Sequence, residues 1–179
     1  LLIYLAVFAV VTALFGPVSR GPLTLHVPDL MGTGLYLRLD MFRYIFVWLT
    51  AFLWPAAMLY SIRHRLRSHH RRRYYHLYML TYASTLGMFL SENILNLFTF
   101  YEVMAVASYF LVIHNEDDYA HRAGASYLTI SIAGGLLLIL GILLAYNYTG
   151  TLLIPDMDLT EASRPTRIAI GSLLLVGFG

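Results

Sequence analysis

Residues 94–113 read ILNLFTFYEVMAVASYFLVI, an almost unbroken apolar run that carries a single carboxylate, Glu102. At 1.5 Å rise per residue the run makes about 30 Å of helix, one bilayer hydrocarbon core, and it sets Glu102 close to the midplane. A carboxylate at that depth costs at least about 2.5–3.5 kcal/mol on insertion scales, so its presence asks for a use. Glu102 is therefore a candidate for handling protons or ions. The plainer alternative is a carboxyl group that only holds neighbouring helices together by hydrogen bonding.

Working outward, the composition agrees with a membrane chain. Of 179 residues, 59% are hydrophobic and 12% are charged, far from the balance of a soluble domain. The absence of cysteine excludes disulfides, thiolate zinc sites and cysteine-bound iron–sulfur clusters within these residues. No cofactor is expected here, and cluster-based redox chemistry would belong to a partner. The twelve basic residues are all arginine, and six of them fall in the stretch RHRLRSHHRRR, residues 63–73.

The apolar runs predict an all-α integral membrane bundle of about six transmembrane helices, the first and last truncated. Residues 1–15 read as the tail of a first span ended by the turn-forming pair Gly16-Pro17, and residues 16–40 as an extramembrane loop. Within that loop LYLRLD alternates like a strand, so a short hairpin or extended segment over the membrane face is expected. Further spans are expected at 41–62, 74–90, 94–113 and 124–146, with Ser91-Glu92-Asn93 as a tight turn. Trp48, Trp54 and Tyr60 are candidate interface anchors and Pro55 a candidate kink. A short last run begins at Ile168. Both ends lie inside apolar runs, so residues 1–179 read as one transmembrane domain, incomplete at both ends, of a longer subunit.

The basic segment 63–73 orients the bundle, because arginine-rich loops stay on the cytoplasmic side. Seven arginines fall on that side against five on the other. Arg63, Arg65, Arg67, Arg71, Arg72 and Arg73 are candidates for contact with anionic lipid headgroups or an acidic partner. A metal site among the neighbouring histidines is not expected: the arginines repel a divalent cation and no carboxylate is interspersed. Glu116, Asp117 and Asp118 are expected to be solvated. Around Glu102, Thr99 and Tyr109 share its helix face at helical spacing and are candidates to support a relay. Asn96 reads as an interhelical hydrogen-bonding residue. The small residues of 105–108 and 124–141 read as close helix contacts.

With these residues in view, the chain resembles a known family. The runs ENILNLFTFYEVMAVASYFLVIH (92–114) and AHRAGASYLTISIAGGLLLILGILLAYNYTGTL (120–152) look like the antiporter-like subunits shared by respiratory complex I, Mrp-type sodium/proton antiporters and membrane-bound hydrogenases. YLRLDMFRYIF (36–46) looks like the family's preceding segment, with Asp40 in the usual aspartate position. The most specific element is the pattern F-x-x-x-E-x-M-x-x-x-S-Y, formed by Phe98, Glu102, Met104, Ser108 and Tyr109. The resemblance implies that Glu102 lies on a proton path and works with a lysine on a later helix, beyond residue 179. At Ser126-Tyr127 the chain departs from the family, many members of which place a lysine before an aromatic.

The expectation is a proton-translocating, antiporter-like membrane subunit of a multisubunit redox or cation/proton antiporter complex, with no bond-making chemistry of its own. Its partners would be other membrane subunits, lipids, and protons or sodium, with no nucleic acid. Its place would be a bacterial or archaeal cytoplasmic membrane, as a multi-pass protein. The alternatives are sodium/proton exchange and a non-conducting scaffold that anchors a soluble enzyme.

Overall fold

A computed structural model describes residues 1–30, 34–64, 71–115 and 117–178, with the backbone alone for 63, 64, 71 and 115. Arg65, Arg67, His69, His70 and Glu116 lie outside the described residues, as do the side chains of Arg63 and Arg71. The described part is a bundle of long helices with one two-stranded hairpin. Helices α1 (Leu2–Ala13) and α2 (Phe15–Arg20) together form the first apolar span. The chain thus stays helical through Gly16-Pro17, where the sequence predicts a turn. Pro17 falls in the first turn of α2, a position where its missing N–H costs little, and the Val18 N–H donates to the Leu14 carbonyl at 3.0 Å.

Strands β1 (Leu23–Val27) and β2 (Leu35–Leu39) pair antiparallel, with Leu23 opposite Leu39 and Val27 opposite Leu35. The alternating LYLRL stretch supplies β2, as its period predicts. Gly34, at φ +83°, leads into β2, and a Cβ there would press on the stacked rings of His26 and Tyr36 at 3.1 Å. Asp40 then starts α3 (Met41–His64), its carboxylate accepting from the Arg43 N–H at 2.9 Å.

Helix α3 runs through Pro55, and α4 (Arg71–Leu90) returns beside it. Arg71, Arg72 and Arg73, expected in the basic loop, belong to the first turn of α4. Trp54, an expected interface anchor, instead packs against Tyr78 and Tyr82 of α4. Helices α5 (Ile94–Val112), α6 (Asp118–Thr149) and α7 (Arg164–Phe178) complete the bundle. Asp117 is exposed, as expected, and also caps α6 by accepting from the Ala120 N–H at 2.6 Å, so that α6 begins six residues earlier than the sequence reading places it.

Among the described residues four stretches, 2–20, 41–62, 94–112 and 118–149, are long and apolar enough to cross a membrane. Helix α4 misses that measure because its composition is mixed, yet it packs most extensively against α5. Its polar residues explain how: Thr81, Ser84 and Thr85 are buried among helices, and the Thr81 and Thr85 hydroxyls donate to carbonyls one turn back. Apolar side chains such as Ile130, Leu136 and Leu175 are instead exposed on the outer face of these helices. The molecule is an all-α integral membrane bundle carrying a small hairpin at one end.

Candidate functional site: an acid at a helix contact

The turn Ser91-Glu92-Asn93 sets the start of α5. Asn93 is its N-cap and accepts from the Leu95 N–H at 2.8 Å, so the helical register of everything after it is fixed from the first turn. That register puts Glu102 midway along α5 and against α6, which runs antiparallel beside it. Near the turn the two helices are sealed by Ile94, Leu138 and Ile142, all buried, with Leu174 of α7 against them. At Glu102 the facing residue is Gly135, so that the carboxyl group lies directly on the α6 backbone.

One carboxylate oxygen, Oε1, is buried and has no hydrogen-bond partner among the described residues. A buried acceptor without a donor costs about 1–3 kcal/mol, and more when charged, which is consistent with a group that takes up a proton or meets a mobile partner.

The sequence-predicted supports are placed differently. The Thr99 hydroxyl donates to the Leu95 carbonyl at 2.8 Å, within its own helix. The Tyr109 ring lies next to Gly124, eleven residues from Gly135 along α6 and so about 16 Å away along that helix axis. Tyr101, the chain neighbour of Glu102, instead shares a cavity with Tyr127 of α6. This cavity, of about 230 Å³, is also lined by Met104, Ser131, Gly134 and Gly177. The Tyr101 hydroxyl donates to the Gly177 carbonyl at 3.4 Å. Tyr127, in the Ser126-Tyr127 pair that departs from the family pattern, thus lines this cavity. Of the Gly134-Gly135 doublet, Gly134 lines the cavity and Gly135 faces Glu102, a division that the spacing of small residues alone does not show.

The two ends of the bundle carry different charge. At the hairpin end Arg38 binds Glu92 at 2.9 Å and lies 3.8 Å from Asp40, which also pairs with Arg43 at 3.9 Å. Asp158 in the loop after α6 is held below the usual carboxylate range by the Thr160 hydroxyl and N–H. At the opposite end Arg72 is exposed and the Arg73 guanidinium lies 5.8 Å from the centre of the Phe110 ring.

Comparison with known proteins gives the same picture. Residues 91–179 match the family model described as NADH:quinone oxidoreductase/Mrp antiporter, TM. A probable K(+)/H(+) antiporter subunit of Rhizobium meliloti is 33% identical over 147 residues, 79% of this chain and 27% of that protein. A Na(+)/H(+) antiporter subunit of Bacillus subtilis is 30% identical over 149 residues, 82% of this chain and 30% of that protein. The chain therefore spans under a third of the length of these relatives. A chain of the Mrp complex from a Dietzia species superposes with a TM-score of 0.85 over 97% of this chain and 20% of its own, at 24% identity. A chain of respiratory complex I from Thermus thermophilus gives 0.69 over 97% of this chain and 36% of its own, at 19% identity. At those identities the superpositions speak for the fold, and the family match and the sequence relatives speak for descent. Residues 91–179 thus belong to the transmembrane family of NADH:quinone oxidoreductase and Mrp antiporter subunits.

Proposed function

We propose that this chain is part of a proton-translocating subunit in which Glu102 takes up and releases a proton as its electrostatic surroundings alternate. The carrying observation is a mid-span acid at the α5–α6 contact whose Oε1 is buried without a partner among the described residues. A cation drawn near such a group favours release of its proton, and withdrawal of the cation favours uptake. The subunit would sit with other membrane subunits in a bacterial or archaeal cytoplasmic membrane, the setting that the relatives' names and the multisubunit neighbours support. Coupling to potassium or sodium is a second reading, favoured by the names of those relatives.

The test is proton uptake into sealed vesicles by the assembled complex carrying the full-length subunit, parent against Glu102→Gln, once equal assembly is established. Loss of most of the uptake supports the relay. Unchanged uptake makes the carboxyl structural and moves the scaffold reading forward. Repeating the assay with added potassium or sodium separates cation/proton exchange, where the cation drives proton flux in the parent, from proton transfer alone.

A further inference from the structure

We propose that Gly135 is a positioning residue for Glu102: the bare backbone of α6 at this position is the seat in which the carboxyl group rests. This rests on the relay reading above and names the part of the partner helix that sets the acid's place.

The argument comes from what a side chain at 135 would meet. A Cβ built on Gly135 would lie 3.2 Å from the carboxyl carbon of Glu102 and 3.5 Å from Oε2, and closer still to Oε1. Its three nearest atoms all belong to that carboxyl group. The other α6 glycines at helix contacts serve a different purpose: Gly134 faces the Gly177 carbonyl, Gly141 faces Leu173 and Leu174, and Gly124 faces Ile113. A Cβ on Gly124 would also meet the Tyr109 ring at 3.2 Å, and Gly135 is the α6 glycine turned toward a carboxyl group. Oε1, the oxygen nearest the seat, is also the buried atom without a partner among the described residues.

What yields on substitution follows from which atom is flexible. A methyl group on Gly135 is opposed by the far end of a side chain with three rotatable bonds, so the carboxyl moves and the helices stay. Restoring ordinary contact needs a shift of about 1 Å, and a misplacement of that size in a reacting group costs up to about 100-fold in rate. Aspartate at 102 is one methylene shorter and draws the carboxyl back by about 1.5 Å, so an added methyl at 135 and a shortened acid at 102 compensate.

The experiment compares Gly135→Ala, Glu102→Asp, the double variant and Gly141→Ala, each in the full subunit within its complex, by proton uptake and by the rate at which a membrane-permeant carbodiimide labels residue 102. Each of the first two single variants is expected to lower uptake about tenfold. The double variant is expected to recover several-fold over either, a coupling that independent packing defects do not produce. Gly135→Ala should change the labelling rate several-fold while Gly141→Ala leaves it at the parent value. Parent-like labelling and uptake in Gly135→Ala, or additive losses in the double variant, overturn the proposal. Should Gly135→Ala fail to assemble, assembly of the double variant supports the seat, and its failure too overturns it. If Glu102→Gln leaves uptake intact the relay reading falls, while the labelling rates still decide whether Gly135 seats the carboxyl.

Discussion

Asn96 is wholly buried, and its amide donates to the Gly34 carbonyl at 3.1 Å, 62 residues away in sequence. It therefore ties α5 to the hairpin instead of joining two helices, the role its residue type and depth suggest. No local pattern encodes that contact, because it exists only once the hairpin has folded back over the start of α5. Replacing Asn96 with leucine removes the donor and leaves the carbonyl buried, a loss of about 1–3 kcal/mol. The expected result is a lowered unfolding midpoint in detergent, with protease cutting near residues 28–34 before the helices are attacked. Glu102 was legible for the opposite reason. Its signal is its own cost, visible as one acid in an apolar span, whereas the seat opposite it depends on how α6 is turned.

At the scale of elements, glycine placement decides which helix contacts can yield. A Cβ on Gly177 would lie 2.7 Å from Cβ and 2.8 Å from the backbone of Leu138, so α7 has to move away from α6. On Gly141 it would meet Leu174 Cδ2 at 3.0 Å, which can rotate aside, and Leu173 Cβ at 3.1 Å, which needs to give by only a few tenths of an ångström. Gly177→Ala is therefore expected to destabilise by about 1–3 kcal/mol and Gly141→Ala by less, read as shifts in a denaturant titration of the solubilised protein. The helices themselves were largely legible, since spans at 41–62 and 94–112 follow directly from apolar length. The errors are at boundaries. A proline in a first turn does not stop a helix, and a capping aspartate extends α6 into what reads as a polar loop.

Across the whole molecule the hairpin and the loop after α6 share one end, and the starts of α4 and α6 share the other. These 179 residues have no cysteine, so in a subunit and complex otherwise freed of thiols a single cysteine placed among them reports its own position. Leu25 on β1 and Tyr119 at the start of α6 are both exposed. With the arginine-rich end facing the cytoplasm, Tyr119→Cys is expected to react with an impermeant maleimide only in inverted vesicles, and Leu25→Cys only in intact cells whose outer surface is accessible. The reverse pattern would turn the molecule over.

The hairpin end is also stitched across its backbone. Ser91 bridges to Leu37, and the Glu92 N–H donates to the Tyr36 carbonyl at 2.9 Å. On its other edge the Ile94 N–H donates to the Leu152 carbonyl, and the Ile154 N–H to the Glu92 carbonyl, both at 2.9 Å. The α4–α5 turn is thus bound to both neighbouring segments, like the spine of a book, while the pages end at the arginine-rich side. At the far end residues 113–117 join α5 to α6, and Ile113 and the Tyr109 ring lie against Gly124, so α5 is a beam clamped at both ends, with Glu102 about 13 Å from the spine. Any change in the spacing between the carboxyl and α6 therefore asks the beam to bow or turn about its own axis, not to swing open.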